Sequence, residues 1–495
     1  MTIVPTYIPN LDGILEGGFD KPSVVLVTGT AGSGKTTFAA QSLFNAARSG
    51  EKKCLFISTL SESPAMINKY MSRFTFFDHS LYENNMMTIL SLNESLLQEG
   101  ADAILEFINQ KISQLKPSRI VIDPLTVLGD ILKSANAKPI TDYDRRRFYF
   151  DLFNSMRSWN TLVIITGEFT QEDLKKSMVG YLADGIIHLS EEIEGMRVER
   201  VLRIIKMRGQ KYISGKHSFD IRDEGIIVFP RLLSRTWDDR PSPAIKLSTG
   251  IKGLDKMLNG GILKNDVLLI SGTTGTGKTT FGLHFIDNGL KTGEKSLIIS
   301  LEERPSKLVR NAKSFGLDFE DYLEQKMLEI LYIPPVSFNP DEQSFIITNK
   351  IKNNNVVRIL FDGIENLEKS IPGELQRKNY ITALIDQFSF LDATTVVTTE
   401  IPELFGAVKL THEALSGVVD NIILLRNVEI EGRMRGVLSI LKSRGSEHDN
   451  EIKEFEISGK GIIVKTSMKG YENVLSGRVR KTPIDVFKET FGEKH

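Results

Sequence analysis

The stretch Gly272-Thr273-Thr274-Gly275-Thr276-Gly277-Lys278-Thr279 fits the pattern G-x-x-x-x-G-K-[ST] of a phosphate-binding loop, and Thr280 follows it. An apolar run at residues 267–270 feeds into it as a strand would, and residues 280–290 leave it with helical composition that stops at Gly293. The motif therefore sits in the context its chemistry needs. Glycines let backbone N–H groups close around phosphate oxygens, and the following helix turns the positive end of its dipole toward them. Lys278 is then placed to reach the β and γ phosphates of ATP, and Thr279 to hold Mg²⁺. A plain glycine-rich turn would need neither the Lys-Thr pair nor the helix.

The same loop stands at Gly29-Thr30-Ala31-Gly32-Ser33-Gly34-Lys35-Thr36, followed by Thr37, and Lys278 lies 243 positions after Lys35. That offset also pairs Leu11-Asp12 with Leu254-Asp255, Gly17-Gly18 with Gly260-Gly261, and Gly50-Glu51-Lys52 with Gly293-Glu294-Lys295. A period this long is two whole domains in tandem. The expected boundaries are an ATP-binding domain at 1–230, a proline-punctuated linker at 231–243, a second ATP-binding domain at 244–470 and a peripheral or mobile tail at 471–495.

Composition agrees with two cores: 495 residues, 41% of them hydrophobic. With 62 basic and 63 acidic residues the net charge is −1, so no overall basic field points to nucleic acid or an anionic membrane surface. No apolar run approaches the roughly 18 residues of a membrane span, and the first ten residues lack the features of a signal peptide. A cytoplasmic protein is expected. The lone Cys54 reads as a small buried hydrophobe.

Beyond each loop come further strands. Arg119-Ile120-Val121-Ile122-Asp123 and Arg358-Ile359-Leu360-Phe361-Asp362 each end an apolar run in a carboxylate, the Walker B pattern, which delivers Asp123 and Asp362 to the magnesium shell. Strands at 161–166 and 394–399 are followed by Glu168 and closed by Glu400, to which no role is given. After the second strand of each half the sequences diverge: Ser300-Leu301-Glu302-Glu303-Arg304-Pro305 faces Thr59-Leu60-Ser61-Glu62-Ser63-Pro64, so Ser61 falls where Glu302 stands. Both halves close with hairpins at 185–189, 198–206 and 226–229, and at 421–426, 435–442 and 461–465. Each carries Lys-x-Arg-Gly: Lys206 with Arg208, and Lys442 with Arg444, cations of the kind a neighbouring subunit offers a γ-phosphate.

Together with Val428-Glu429-Ile430-Glu431-Gly432 and Gly445-Ser446-Glu447-His448-Asp449, these features resemble the KaiC family of circadian-clock ATPases and autokinases over nearly the whole chain, up to Gly477. The resemblance implies an α/β fold of two tandem RecA-like P-loop domains in a two-tiered homohexameric ring, with ATP at the subunit interfaces. It also implies paired glutamates that activate water or a hydroxyl, matched by Glu302 and Glu303 in the second half and by Glu62 alone in the first. A phosphoacceptor pair implied near the end of the second domain falls on Ser416 and Gly417, leaving Ser416, with Thr411 as a fallback. A positioned base belongs to Glu302 rather than Ser61, so hydrolysis is expected mainly in the second half. Three activities remain open: an ATPase and serine autokinase acting as a regulatory ring with protein signalling partners, a RecA- or DnaB-like motor on nucleic acid, and a non-catalytic ATP-gated scaffold.

Overall fold

The computed structural model describes residues 2–51, 53–59, 64–92, 94–131, 141–194, 197–233, 244–334, 338–371, 373–401, 413–476 and 479–482. Ser61, Glu62, Thr411 and most of the expected linker lie outside the described residues. The chain divides into two compact units, Met1–Arg231 and Leu232–His495.

Each unit is built on a nine-stranded mixed sheet. Across the first, the order is Gly225–Phe229, Lys216–Arg222, Arg197–Met207, Gly185–Glu194, Ser23–Gly29, Leu162–Gly167, Arg119–Asp123, Cys54–Ser58 and Met87–Ser91. The last six are parallel and the first three join antiparallel. The second sheet repeats this order with Gly461–Ser467, Lys453–Ser458, Arg433–Ser443, Asn421–Ile430, Val267–Gly272, Thr394–Glu400, Arg358–Asp362, Ser296–Ser300 and Leu328–Tyr332. The strand leading to each phosphate loop is central, with one strand between it and the Walker B strand, so all three open at the same edge.

The central strands are continuous apolar runs because helices cover both faces. Alternation then splits each run: Val25 and Val27 pack with Phe38 and Leu43 of the helix Lys35–Arg48, while Val24 and Leu26 join Ile104 and Phe153 on the opposite face. In the second unit Leu268 and Ile270 meet Phe281 and Phe285 of the helix Lys278–Lys291, and Val267 and Leu269 meet Ile385 and Phe388. Among the described residues no helix is long and apolar enough to cross a membrane.

The repeated residues outside the loops are the ones that brace this core. Arg119, fully buried, binds Glu51 at 2.9 Å, Ser42 Oγ at 2.8 Å and the Pro5 carbonyl at 2.8 Å. Arg358 does the same with Glu294 at 2.5 Å and the carbonyls of Ser248 and Phe285 at 2.8 and 3.0 Å. In each unit the first residue of the Walker B strand thus ties that strand to the segment before the phosphate loop and to the Gly-Glu after its helix. Asp12 and Asp255 fix the same segment by accepting the backbone N–H of Thr6 and Thr249 at 2.8 and 2.7 Å.

Two local expectations change. The hairpin strands run further than their apolar cores, to Gly185–Glu194 with Arg197–Met207 and to Asn421–Ile430 with Arg433–Ser443. Each sheet also holds a strand, Lys216–Arg222 or Lys453–Ser458, whose half-polar sequence gave no apolar run to read. The tail, expected to be peripheral or mobile, packs on the unit in its described part: Tyr471–Glu472 pairs with Arg480–Lys481, and Val474 is buried against Val428, Ile430 and Val437.

Two candidate nucleotide sites

In the second unit the strand Val267–Gly272 ends in the loop, and the helix Lys278–Lys291 starts from Gly277 in the left-handed region. Its unpaired N-terminal N–H groups point into the loop. Gly275, at φ 77°, has open space where a side chain would stand, so the cradle is free for an oxyanion. Lys278 Nζ lies over this cradle, donating to the Thr273 carbonyl at 3.1 Å. Thr279 donates to both carboxylate oxygens of Asp362, at 2.9 and 3.2 Å, and Thr398 holds Oδ1 at 2.7 Å. Burial pushes the Asp362 carboxyl up, an effect partly offset by the two hydroxyls. A hydroxyl and a carboxylate, both hard oxygen donors beside a phosphate cradle, are the donor set Mg²⁺ takes. The residues therefore fit Mg-ATP.

The paired glutamates separate in space. Glu302 faces the loop, its carboxyl pushed up to about 8 by crowding away from water, then by the Asp362 charge and by Glu365, with Lys278 opposing. Glu302 itself stays open to solvent on one side. Gly363, left-handed at φ 85°, makes room for it: a side chain there would come within 2.7 Å of Glu302 Cγ. Glu303 turns to the helix Pro305–Ser314 instead, held by Lys307 at 2.8 Å and Asn311 at 2.9 Å.

The first unit repeats the cradle, and among the described residues no cluster of three acids gathers beside it. Gly34 starts the helix Lys35–Arg48 in the left-handed region, Gly32 opens onto free space, and Lys35 Nζ donates to the Thr30 carbonyl at 2.7 Å. Ser33 Oγ is buried without a partner, facing the loop it belongs to. Thr166 donates to Asp123 as Thr398 does to Asp362. Thr36 and Thr37 lie half-buried on the first helical turn, as do Thr279 and the more deeply set Thr280.

The Lys-x-Arg cations stand elsewhere. Lys206 pairs in register with Ile186, and so with Leu26, three residues before Gly29; Lys442 pairs with Ile422, and so with Leu269, three before Gly272. At about 3.3 Å per residue this places both ~10 Å back from the loops of their own units, toward the other end of the sheet. There they bind backbone carbonyls and, through Arg208, a carboxylate. Lys206 donates to the carbonyls of Gly180 and Tyr181 at 3.1 and 3.0 Å, and Arg208 to the Tyr181 carbonyl at 2.8 Å and the Asp184 carboxylate at 3.2 Å. Lys442 donates to Ser416 and Val419 at 2.8 and 2.6 Å, and Arg444 to Gly417 at 3.2 Å. Ser416, half-buried, ends the short helix Glu413–Ser416, so a cation holds the carbonyl of the candidate acceptor.

Sequence reading named Glu168 and Glu400 without giving them a role and missed Glu365, in the helix Ile364–Ser370. Glu168 reaches Lys35 at 3.6 Å, Glu400 accepts the Thr274 hydroxyl, and Glu365 is buried beside Glu302. A carboxylate at or just after the corresponding strand of each half, Leu162–Gly167 and Thr394–Glu400, was the signal for Glu168 and Glu400. Glu365 had none.

Comparison with known proteins agrees with the duplication. A family model described as ATPase: KaiC matches residues 4–232 and again 247–469. Over 495 residues, spanning 97% of this chain and 92% of the relative, the sequence is 30% identical to "Circadian clock oscillator protein KaiC" of Synechococcus elongatus, and it matches the protein of that name from Thermosynechococcus vestitus to the same extent. With the Acaryochloris marina protein of that name it shares 29% over 496 residues, 98% of this chain and 92% of the relative. Two nine-stranded α/β units, each with a complete phosphate loop and a Walker B carboxylate, and a family match to each in turn leave one assignment: the chain belongs to the KaiC family, with two ATPase domains in tandem.

Proposed function

We propose that this protein hydrolyses ATP as a two-tiered homohexameric ring, mainly at the second unit's site, and transfers phosphate to its own Ser416. The observation carrying this reading is Glu302, a carboxyl beside Asp362 and Lys278 whose affinity for a proton is raised, where the first unit's sequence has Ser61. In that reading Lys278 and the helix N-terminus hold the phosphates, and Thr279 and Asp362 hold Mg²⁺, which supplies positive charge against the phosphate oxygens when bound. Glu302 takes the proton of an attacking water as its oxygen bonds to the γ-phosphorus, the β–γ bridging bond breaks, and ADP leaves. With the Ser416 hydroxyl of a neighbouring subunit in place of water, the same proton transfer leaves a phosphoserine. Glu303, already paired with Lys307, orients the segment.

The assembly part rests on position. Lys206, Arg208, Lys442 and Arg444 lie toward the sheet end opposite their own loops, where a neighbour's nucleotide is the one they could meet. In the first unit Lys35, Thr36 and Asp123 bind ATP with Glu62 as the available acid, and the site mostly supports the ring. A cytoplasmic regulatory role with protein partners fits such a ring, and a net charge of −1 gives no support to a nucleic-acid motor.

Incubation with γ-labelled ATP and Mg²⁺, following free phosphate and protein-bound label, tests both reactions. Expected are release of phosphate, a mass gain of one phosphate on the wild type and none on Ser416→Ala, and a hexamer by light scattering. Label retained on Ser416→Ala removes the acceptor, a monomer at saturating ATP removes the ring, and absence of turnover removes the enzyme.

A further inference from the structure

We propose that the second unit binds a hard divalent cation on Glu302, Glu365 and Glu400 without any nucleotide, at a site additional to the Thr279–Asp362 pair. Each of the three offers a carboxylate oxygen, and these oxygens lie within 4.8 Å of one another. Proximity of acids alone would mean little, since exposed ones cluster freely. Glu365 makes the difference: it is 5% exposed, and its Oε2 has no hydrogen-bond partner. A buried carboxylate oxygen left unpaired has lost its water without replacement, so a ligand that satisfies it is expected.

The surroundings favour a cation over a further hydrogen bond. Asp362 adds a fourth carboxylate, and Lys278, the cation that acts on Glu302, leans on the Thr273 carbonyl. Thr274 fixes Glu400 by donating to its Oε1, and Gly363 gives Glu302 room to stand over the site. The donors are all carboxylate oxygens, with no histidine or thiol among them, which selects the class of Mg²⁺, Mn²⁺ and Ca²⁺ over zinc or copper. In the first unit the position three residues after the Walker B aspartate is Thr126, Ser61 falls at the Glu302 position, and Glu168 is engaged with Lys35. One such cation per chain is therefore expected.

Titration of the nucleotide-free full-length chain with Mn²⁺, reading free Mn²⁺ by electron paramagnetic resonance, tests this apart from the hydrolysis reading, because no ATP is present. The expected result is one Mn²⁺ per chain, weakened at least about tenfold by Glu365→Gln and by Glu400→Gln and unchanged by Glu168→Gln. Nucleotide binding by the two variants, which keep side-chain volume, shows that they are folded. A wild type that binds no Mn²⁺ in this state holds only a proton shared among the carboxylates, and the proposal fails. It fails equally if Mn²⁺ binds and neither folded variant weakens it. A chain that binds Mn²⁺ in this way yet never hydrolyses ATP fails the hydrolysis reading alone.

Discussion

The two phosphate loops are nearly superimposable in chemistry, yet the carboxylates around them are not. Both units present a left-handed glycine at the helix start, a lysine folded onto a loop carbonyl, and a threonine hydroxyl on the Walker B aspartate. Only around the second loop do Glu302, Glu365 and Glu400 gather among the described residues. Holding a polyphosphate takes backbone N–H groups and a cation, which duplication copies with the fold. Moving a proton takes a carboxylate at one position, which a single substitution removes. The proposed reading therefore expects two sites that both hold nucleotide and differ in rate.

The sharpest way to break this contrast is Glu302→Gln against Glu62→Gln. Loss of a positioned base lowers turnover about 10²–10⁴-fold, so the first variant should lose nearly all steady-state phosphate release at saturating ATP while the second keeps most of it. If Glu62→Gln is the damaging one, the division of labour is reversed. What the units share can be tested just as directly. Arg119→Ala and Arg358→Ala each leave a glutamate and carbonyls without their buried partner, so each should cost about 3 kcal/mol in urea unfolding of its own unit. A loss below about 1 kcal/mol in either would mean that the two braces are not equivalent.

The smallest expected effect is on pH. His217 is fully buried in the first unit, its Nδ1 accepting the Arg231 N–H at 3.1 Å and its Nε2 facing the Ile213 carbonyl at 2.9 Å. Burial pushes its pKa down, the Ile213 carbonyl opposes this, and the Arg231 charge adds to it. The neutral ring is thus the folded form. Its contribution is present above the unfolded value of about 6.5 and is lost as pH falls below it toward the folded value. As pH falls through and below about 6.5 the first unit should lose stability, read from hydrogen exchange in the strand Lys216–Arg222, and His217→Gln should flatten that dependence. An unchanged slope in the variant would place the acid sensitivity elsewhere in the same unit, His188 there also having its pKa lowered by burial.

Sequence alone determined the duplication, the α/β class, both phosphate loops and the two Walker B strands, because each rests on local spacing: glycines and Lys-Thr within eight residues, and apolar runs that end in Asp. It also separated Glu302 from Ser61, since matching prolines anchor both segments. Side-chain direction was out of reach. That Glu302 faces the phosphate cradle while Glu303 turns to Lys307 depends on Gly363, more than 60 positions away, leaving space beneath one of them. That Lys442 and Arg444 bind the carbonyls around Ser416 depends on the antiparallel register of Arg433–Ser443, which sets them toward the end of the sheet away from their own loop. The cluster of Glu302, Glu365 and Glu400 comes from three strand ends brought to one edge by parallel pairing. Contacts of this kind are fixed by strand order, and strand order is decided by how the whole sheet buries its two faces.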